Sequence, residues 1–317
     1  MRNAFHRTSP GLPAVGRKWT PCEMVELRTI NHLFSVLLAK MRGIDMIKAM
    51  FFDLDGTLLN SERILSRQTR LTLEKCKESG IKLFIATARP PLLDRMLSWD
   101  ENTLSLFDGG TYYNGGCIKI DEQSDYQFVS SEIVQKTINY VCEYDNLNVA
   151  LQLDSEKHAF RFPLEDKGYK SWGVTAQDAL SLHQIENLKT IKILIFFANL
   201  IDSVTPLNDE LIASLEALCH EKAQFYLTDK GKCFQIMGQN VNKLKSIEKI
   251  RVCLGFEKDE IAVFGDDVND IEMLSEYKYS VAMGNAESHV KDAAKYVTYD
   301  NNCDGIHHAI CRILRLI

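Results

Sequence analysis

The sequence predicts an α/β protein: a doubly wound, mostly parallel sheet interrupted by an inserted α+β module. Three observations predict it. Short apolar runs alternate with helical stretches near both ends of the chain. Between them the pattern changes to pairs of strands at hairpin spacing, separated by helices. Three of the apolar runs end in loops rich in Asp, Thr and Gly, where sheets of this kind bind their ligands.

The elements follow in order from Met46. Residues 47–52 (IKAMFF) read as a buried strand. Ser66 is a suitable N-cap for a helix to Ser79, with Leu71, Leu73 and Cys76 as buried positions and Gly80 as its stop. Residues 81–87 (IKLFIAT) form a second strand. Toward the other end, residues 260–264 read as a strand, followed by a helix from about Asp270. A strand at 279–283, a helix at 287–294 and a strand at 296–299 complete the alternation. The middle reads as a helix at 131–144, strands at 149–153 and 158–162, a weak helix at 175–182 and a long strand at 190–198. A helix at 208–222 and strands at 224–228 and 233–237 follow. Paired strands with intervening helices suit an antiparallel sheet covered on one face. The expected domains are therefore a core of residues 46–121 and 236–317 with a module of residues 122–235 inserted in it.

Residues 1–45 stand apart. They hold seven Lys or Arg against three acids, a net of +4, so the other 272 residues carry −10 of the chain's −6. Pro10, Pro13 and Pro21 break early periodicity, although a short helix around residues 23–41 is compatible with the pattern. This segment reads as an upstream extension outside the fold, with an Arg-containing transit peptide as the alternative.

The bulk composition, 45% hydrophobic and 25% charged over 317 residues, is that of a globular protein. No basic cluster suggests nucleic acid as a partner, and no apolar run approaches the ~18–20 residues of a membrane span. The nine Cys are scattered and never spaced C-x-x-C, which argues against a zinc site or a disulfide framework and for buried reduced thiols in a cytoplasmic protein.

The informative residues follow the apolar runs. The first run ends in Asp53-Leu54-Asp55-Gly56-Thr57, the second in Thr87-Ala88-Arg89, and the late one in Gly265-Asp266-Asp267-Val268-Asn269-Asp270. Each alone reads as well as turn or cap chemistry. As a set at three strand ends they can converge, although 213 positions separate Asp53 from Asp266. Two carboxylates and a backbone carbonyl suit a hard divalent cation such as magnesium. A carboxylate can attack phosphorus and form an acyl-phosphate. A second carboxylate can protonate the leaving oxygen and then activate water.

These residues resemble the haloacid dehalogenase superfamily of phosphatases, and more closely its Cof-type sugar-phosphatase branch with a type IIB cap, over essentially all of residues 46–317. The resemblance implies a Rossmann-like core. It makes Asp53 the nucleophile and Asp55 the general acid/base. It places magnesium on the Asp53 side chain, the Asp55 carbonyl and the Asp266 side chain, with Asn269 and Asp270 supporting the metal and Asp267 at a variable position. Thr87 would bond the transferring phosphoryl group; the chain reads ATAR where ATGR is commoner. The backbone and side chains of Leu54, Gly56, Thr57, Ala88, Arg89, Asn114, Gly115 and Asn269 would border the phosphate. The motif lysine is best matched by Lys243, although Leu244 stands where a Gly usually follows, and Lys245 and Lys230 are fallbacks. Tyr113-Asn114-Gly115-Gly116 resembles the branch's N-G turn, and Met283-Gly284-Asn285-Ala286 its M-G-N-A loop.

What the resemblance implies is hydrolysis of small phosphate monoesters such as sugar phosphates, by a monomer or small homo-oligomer. A phosphosugar mutase and a non-catalytic binding protein on the same fold are the alternatives. Among insertion residues, His158, Arg161, Lys167 and Lys192 either face the pocket or are solvated. Removal of residues 1–45 is expected to leave folding and turnover intact, as read by circular dichroism and an activity assay; a truncated chain lacking both refutes the reading.

Overall fold

The structure, a computed structural model, describes residues 47–154, 156–182, 189–199 and 205–317. The expected helix around residues 23–41 lies outside the described residues. From Ile47 the chain forms β1 (Ala49–Phe52), α1 (Arg67–Glu78), β2 (Lys82–Ala86), the short helices α2 (Leu93–Leu97) and α3 (Glu101–Leu104), and strands β3 (Gly109–Tyr112), β4 (Cys117–Ile120) and β5 (Gln123–Tyr126). Then come α4 (Ser131–Val141), β6 (Leu147–Leu153), β7 (His158–Phe160), α5 (Asp166–Ser171), β8 (Ala179–Ser181), β9 (Thr190–Phe197), α6 (Asp209–Cys219), β10 (Ala223–Thr228) and β11 (Cys233–Gly238). The last stretch gives α7 (Lys243–Leu254), β12 (Ile261–Gly265), α8 (Ile271–Glu276), β13 (Tyr279–Ala282), α9 (Ser288–Ala293), β14 (Tyr296–Val297) and α10 (Gly305–His308).

Eight strands form one sheet in the order β14-β13-β12-β1-β2-β3-β4-β5. It is parallel from β14 to β3 and antiparallel at β4 and β5. Central parallel strands are covered on both faces, so they need continuous apolar runs rather than alternation. β1 is buried at all four positions. Its two faces stack separately, Phe51 on Phe84 at 4.8 Å and Phe52 on Phe264 at 4.7 Å. The register matters for everything downstream. Phe52 lies beside Ile85 of β2 and Phe264 of β12, so the loops leaving all three strands emerge at one edge.

Helix α1 begins where expected, with the Ser66 hydroxyl accepting from the Thr69 amide at 3.1 Å. Leu73 and Cys76 are buried, but Leu71 is 43% exposed, because two positions from Leu73 it points to the far side of the helix.

The second sheet has six strands in the order β10-β11-β9-β6-β7-β8. β5 is the edge of the larger sheet, and the smaller sheet's last strand runs on to Gly238. Residues 175–182, expected as a weak helix, instead contain the strand β8, paired in parallel with β7. The helix of that stretch comes earlier, at Asp166–Ser171, so the order αββ occurs three times in succession.

Alternation divides the two faces of this sheet. Val149, Leu151, Ile193, Ile195, Phe234 and Ile236 pack with α4 and α6 residues such as Val134 and Leu215. The intervening positions carry Gln152, Lys192 and Gln235, together with Ala150 and Leu194, on the opposite face. Part of that face packs on Leu92 and Met96 beside α2. Ile193→Ala, on the helix-covered face, is expected to cost about 2–5 kcal/mol in denaturant titrations, the usual range for deleting a buried aliphatic side chain.

Candidate active site

The shared strand edge assembles the site. Asp53 follows β1 directly, its amide donating to the Phe264 carbonyl at 3.0 Å. The buried Leu54 side chain anchors the next turn in the core, and the Leu54 carbonyl accepts from Leu59 at 2.9 Å. Gly56 has φ +81°, and a Cβ there would lie 2.1 Å from an Asp266 carboxylate oxygen. Only glycine lets the first loop approach the third so closely. Thr57 uses that approach, its hydroxyl donating to Asp266 Oδ1 at 2.6 Å. Asn285 adds a second clasp, its Nδ2 lying 2.8 Å from the Gly56 carbonyl and 3.3 Å from Asp266 Oδ2.

Lys243, the first residue of α7, is 1% exposed. Its Nζ lies 2.6 Å from both Asp53 Oδ1 and Asp270 Oδ1. Lys230 and Lys245 are exposed, so Lys243 is the lysine of the three that reaches Asp53. Asp270 is fully used: its other oxygen accepts from the Asp266 amide at 3.0 Å and the Asp267 amide at 3.2 Å. Asp267 itself is exposed and caps the short turn that follows.

The β2 and β3 ends supply another part. Thr87 is buried, and its hydroxyl accepts from the Arg89 amide at 3.1 Å. The Arg89 guanidinium grips the Asp55 carboxylate through two bonds of 2.5 Å. Asp55 is not part of the Asp53, Asp266 and Asp270 group. Asn114 adopts a left-handed conformation, φ 57°, and is wholly buried. It accepts from Asn269 at 2.9 Å and donates to Gln235 at 3.0 Å. Gln235 continues the chain to Thr228 at 2.6 Å. This relay runs from the Asp266–Asp270 loop through Asn114 into the smaller sheet. Gly115 completes the turn at φ +103°, where a Cβ would meet the Asn242 carbonyl at 2.4 Å.

Asp53, Asp266 and Asp270 each offer an oxygen within 4.8 Å of the others. Burial pushes the Asp53 carboxyl well above its usual range; Lys243 opposes this, and Asp270 and Asp266 add to it. Burial and then Asp270 push Asp266 up to about 7. At Lys243 burial favours the neutral amine, but Asp270 and Asp53 outweigh it and hold the proton on. Two of the three carboxylates bond one ammonium, and a divalent cation between Asp53 and Asp266 would relieve the remaining repulsion. The donor set therefore fits a hard cation bound by oxygen.

Beside this group lies a cavity of 430 Å³. The larger sheet's loops line it with Asp55, Ala88 and Arg89, and the smaller sheet with Gln152, Lys192 and Gln235. Lys192 is thus neither solvated nor on the surface. Arg161 bonds the carbonyls of Val141, Cys142, Tyr144 and Leu147 at the end of α4, Lys167 is exposed, and His158 is buried against Trp172. Sequence reasoning missed Gln152 and Gln235. A signal existed, since each is a polar position flanked on both sides by apolar residues in a strand.

The haloacid dehalogenase-like hydrolase family matches residues 50–310. The 5-amino-6-(5-phospho-D-ribitylamino)uracil phosphatase of Bacillus subtilis is 27% identical over 264 residues, 83% of this chain and 94% of that one. The crystal structure of a haloacid dehalogenase-like hydrolase from Bacteroides thetaiotaomicron superposes with a TM-score of 0.68 at 26% identity, covering 84% of this chain and 99% of the other. A subclass IIB sugar phosphatase of the same superfamily superposes with a TM-score of 0.69 at 25% identity, covering 84% and 98%.

Lys243→Met is expected to destabilise the fold by about 3–5 kcal/mol in denaturant titrations, the cost of stripping a buried ion pair of its cation. A loss below 1 kcal/mol would show that the carboxylates do not depend on it.

Proposed function

The chain belongs to the haloacid dehalogenase-like hydrolase family and is a phosphatase, and from that premise we propose that it hydrolyses small phosphate monoesters with magnesium through an aspartyl-phosphate on Asp53. The observation that supports the reading is the close group of Asp53, Asp266 and Asp270, with the buried Lys243 bonded to Asp53 and Asp270.

In this reading an Asp53 oxygen attacks phosphorus in line with the leaving oxygen. Lys243 keeps its proton and offsets charge on Asp53 and on the equatorial phosphoryl oxygens. Asp55 delivers a proton to the leaving oxygen and later takes one from water. Arg89 holds the Asp55 carboxylate by its two bonds. Thr87 and the loop amides around Leu54, Gly56 and Ala88 orient the phosphoryl group, with Asn114 and Gly115 closing its far side. The Asp53 and Asp266 side chains and the Asp55 carbonyl would hold the magnesium, which neutralises charge on the phosphoryl group when bound. Asn269 and Asp270 act one layer out: both oxygens of Asp270 are occupied by Lys243 and the loop amides, so it sets the position of Asp266.

The inserted module, expected at residues 122–235 but with residues 123–126 paired into the larger sheet and its last strand running to Gly238, is the cap, which excludes water and selects the leaving group. Two similar proteins are named for sugar or ribityl phosphates, which supports a small polar phosphometabolite as substrate. The reading carries with it a cytoplasmic setting and a monomer or small homo-oligomer. No helix among the described residues is long and apolar enough to cross a membrane.

The test is a hydrolysis screen over phosphorylated metabolites with magnesium. Asp53→Asn is expected to lower turnover by more than about a thousandfold with the circular dichroism spectrum unchanged. Excess EDTA is expected to abolish activity. Undiminished release of phosphate in either arm overturns the proposal, and transfer to a second sugar rather than to water identifies a mutase.

A further inference from the structure

Two polar groups in the cavity have no part in the reaction just outlined. Gln152 of β6 and Lys192 of β9 are direct cross-strand partners in the smaller sheet. Side chains at paired positions stand side by side on one face. Both line the 430 Å³ cavity that also contains Asp55 and Arg89. Both are almost completely buried, Lys192 at 1% and Gln152 at 3% exposed.

Neither is satisfied by the protein. An ammonium has three donors, yet among the described residues Lys192 makes one hydrogen bond, to the Ala88 carbonyl at 3.1 Å, and no ion pair. Gln152 Oε1 is buried with no hydrogen-bond partner among the described residues. Buried polar groups in native structures are nearly always paired, and unpaired ones call for a ligand or a solvent molecule. By contrast Gln235, on the same wall, is spent on Asn114 and Thr228. Burial pushes the Lys192 amine down to about 7, and in either protonation state it donates.

The position of the pair defines what it can read. Ala88, which accepts from Lys192, belongs to the Thr87-Ala88-Arg89 loop. Arg89 in turn holds Asp55, which the phosphatase reading assigns to the leaving oxygen. A substrate with its phosphoryl group at Asp53 would therefore extend its leaving group past Asp55 toward Gln152 and Lys192. The two protein groups ask for different partners: Lys192 needs an acceptor and Gln152 Oε1 needs a donor.

We propose that Lys192 and Gln152 form a leaving-group subsite selecting phosphate monoesters whose body presents an acceptor beside a donor, as the hydroxyls of a sugar or sugar alcohol do. This rests on the phosphatase reading above. A hydroxyl meets both demands, because it accepts from Lys192 and donates to Gln152. A carboxylate or second phosphate offers acceptors only, which Lys192 and the Gln152 amide nitrogen can use but which leave Gln152 Oε1 without a donor. A hydrocarbon answers neither and strands both. A carboxamide also offers an acceptor and a donor, so it shares the chemistry and has to be separated by experiment.

The experiment compares kcat/KM for a six-carbon sugar-alcohol phosphate, hexyl phosphate and an aryl phosphate bearing a carboxamide, in the full chain with magnesium. The wild-type protein is expected to prefer the sugar-alcohol ester over the hexyl ester by about 100-fold or more. Lys192→Met and Gln152→Leu are each expected to cut that preference at least about tenfold. Lys192→Arg, which keeps the donors, should retain more of it than Lys192→Met. A carboxamide ester favoured over both others, with the same loss in the variants, assigns the subsite to an amide rather than a polyol and still supports it. A wild-type ratio near one overturns the subsite without any variant having to fold. A high ratio that Lys192→Met and Gln152→Leu leave unchanged, with melting curves showing both folded, overturns it as well. Failure of the wild-type protein to hydrolyse any ester, in this panel or the wider screen, sinks the phosphatase reading and the subsite together.

Discussion

One buried ammonium carries the arrangement. Lys243 Nζ sits 2.6 Å from Asp53 and 2.6 Å from Asp270, with all three side chains shielded from solvent. Without it, three carboxylates from two distant stretches of chain would face each other in a medium that screens charge poorly. With it, the β1 loop, the β12 loop and the start of α7 are tied to one point. The remaining negative charge gives the group a donor set that fits a cation. Burial and mutual repulsion raise the Asp266 carboxyl to about 7, and a bound cation would relieve the same repulsion. Stability and function pull against each other at this point, a common feature of sites built to bind charge.

The ammonium can do this only because the sheet brings its partners together. β1 lies between β2 and β12, in register at Phe52, Ile85 and Phe264. A shift of one residue in either pairing would turn Asp53 or Asp266 to the opposite face. The stacked pairs Phe51–Phe84 and Phe52–Phe264 fill the two faces of this central strand. Gly56 then removes the last steric obstacle between the loops. Apolar packing thus sets the geometry, and electrostatics works within it.

The smaller sheet applies the same period of two to a different end. One face is apolar and packs on α4 and α6; the other is mixed and lines the cavity. The Asn269–Asn114–Gln235–Thr228 relay ties that second face to the loop after β12. A residue such as Lys192 is tolerated in an apolar strand because its face meets a polar crevice rather than a helix.

Much of this was legible in the chain. Continuous apolar runs identified β1, β2 and β12, because strands covered on both faces leave no room for polar positions. The Ser66 cap and the loops opening with Asp53, Thr87 and Asp266 were visible as local chemistry. The β8 strand was not, since three residues at a sheet edge gain their order from β7 and not from their own pattern. Nor was the exposure of Leu71, whereas Lys243 was already the best match in sequence, with Lys230 and Lys245 as fallbacks. Sequence determined which residues could carry charge and where strands and helices alternate, because those depend on neighbours a few positions away. Tertiary structure alone decided that Lys243 bridges Asp53 and Asp270, that Asp55 turns to Arg89, and that Gln152 and Lys192 share a cavity wall. Those are distances between groups tens to hundreds of positions apart, and only the packing of two sheets fixes them.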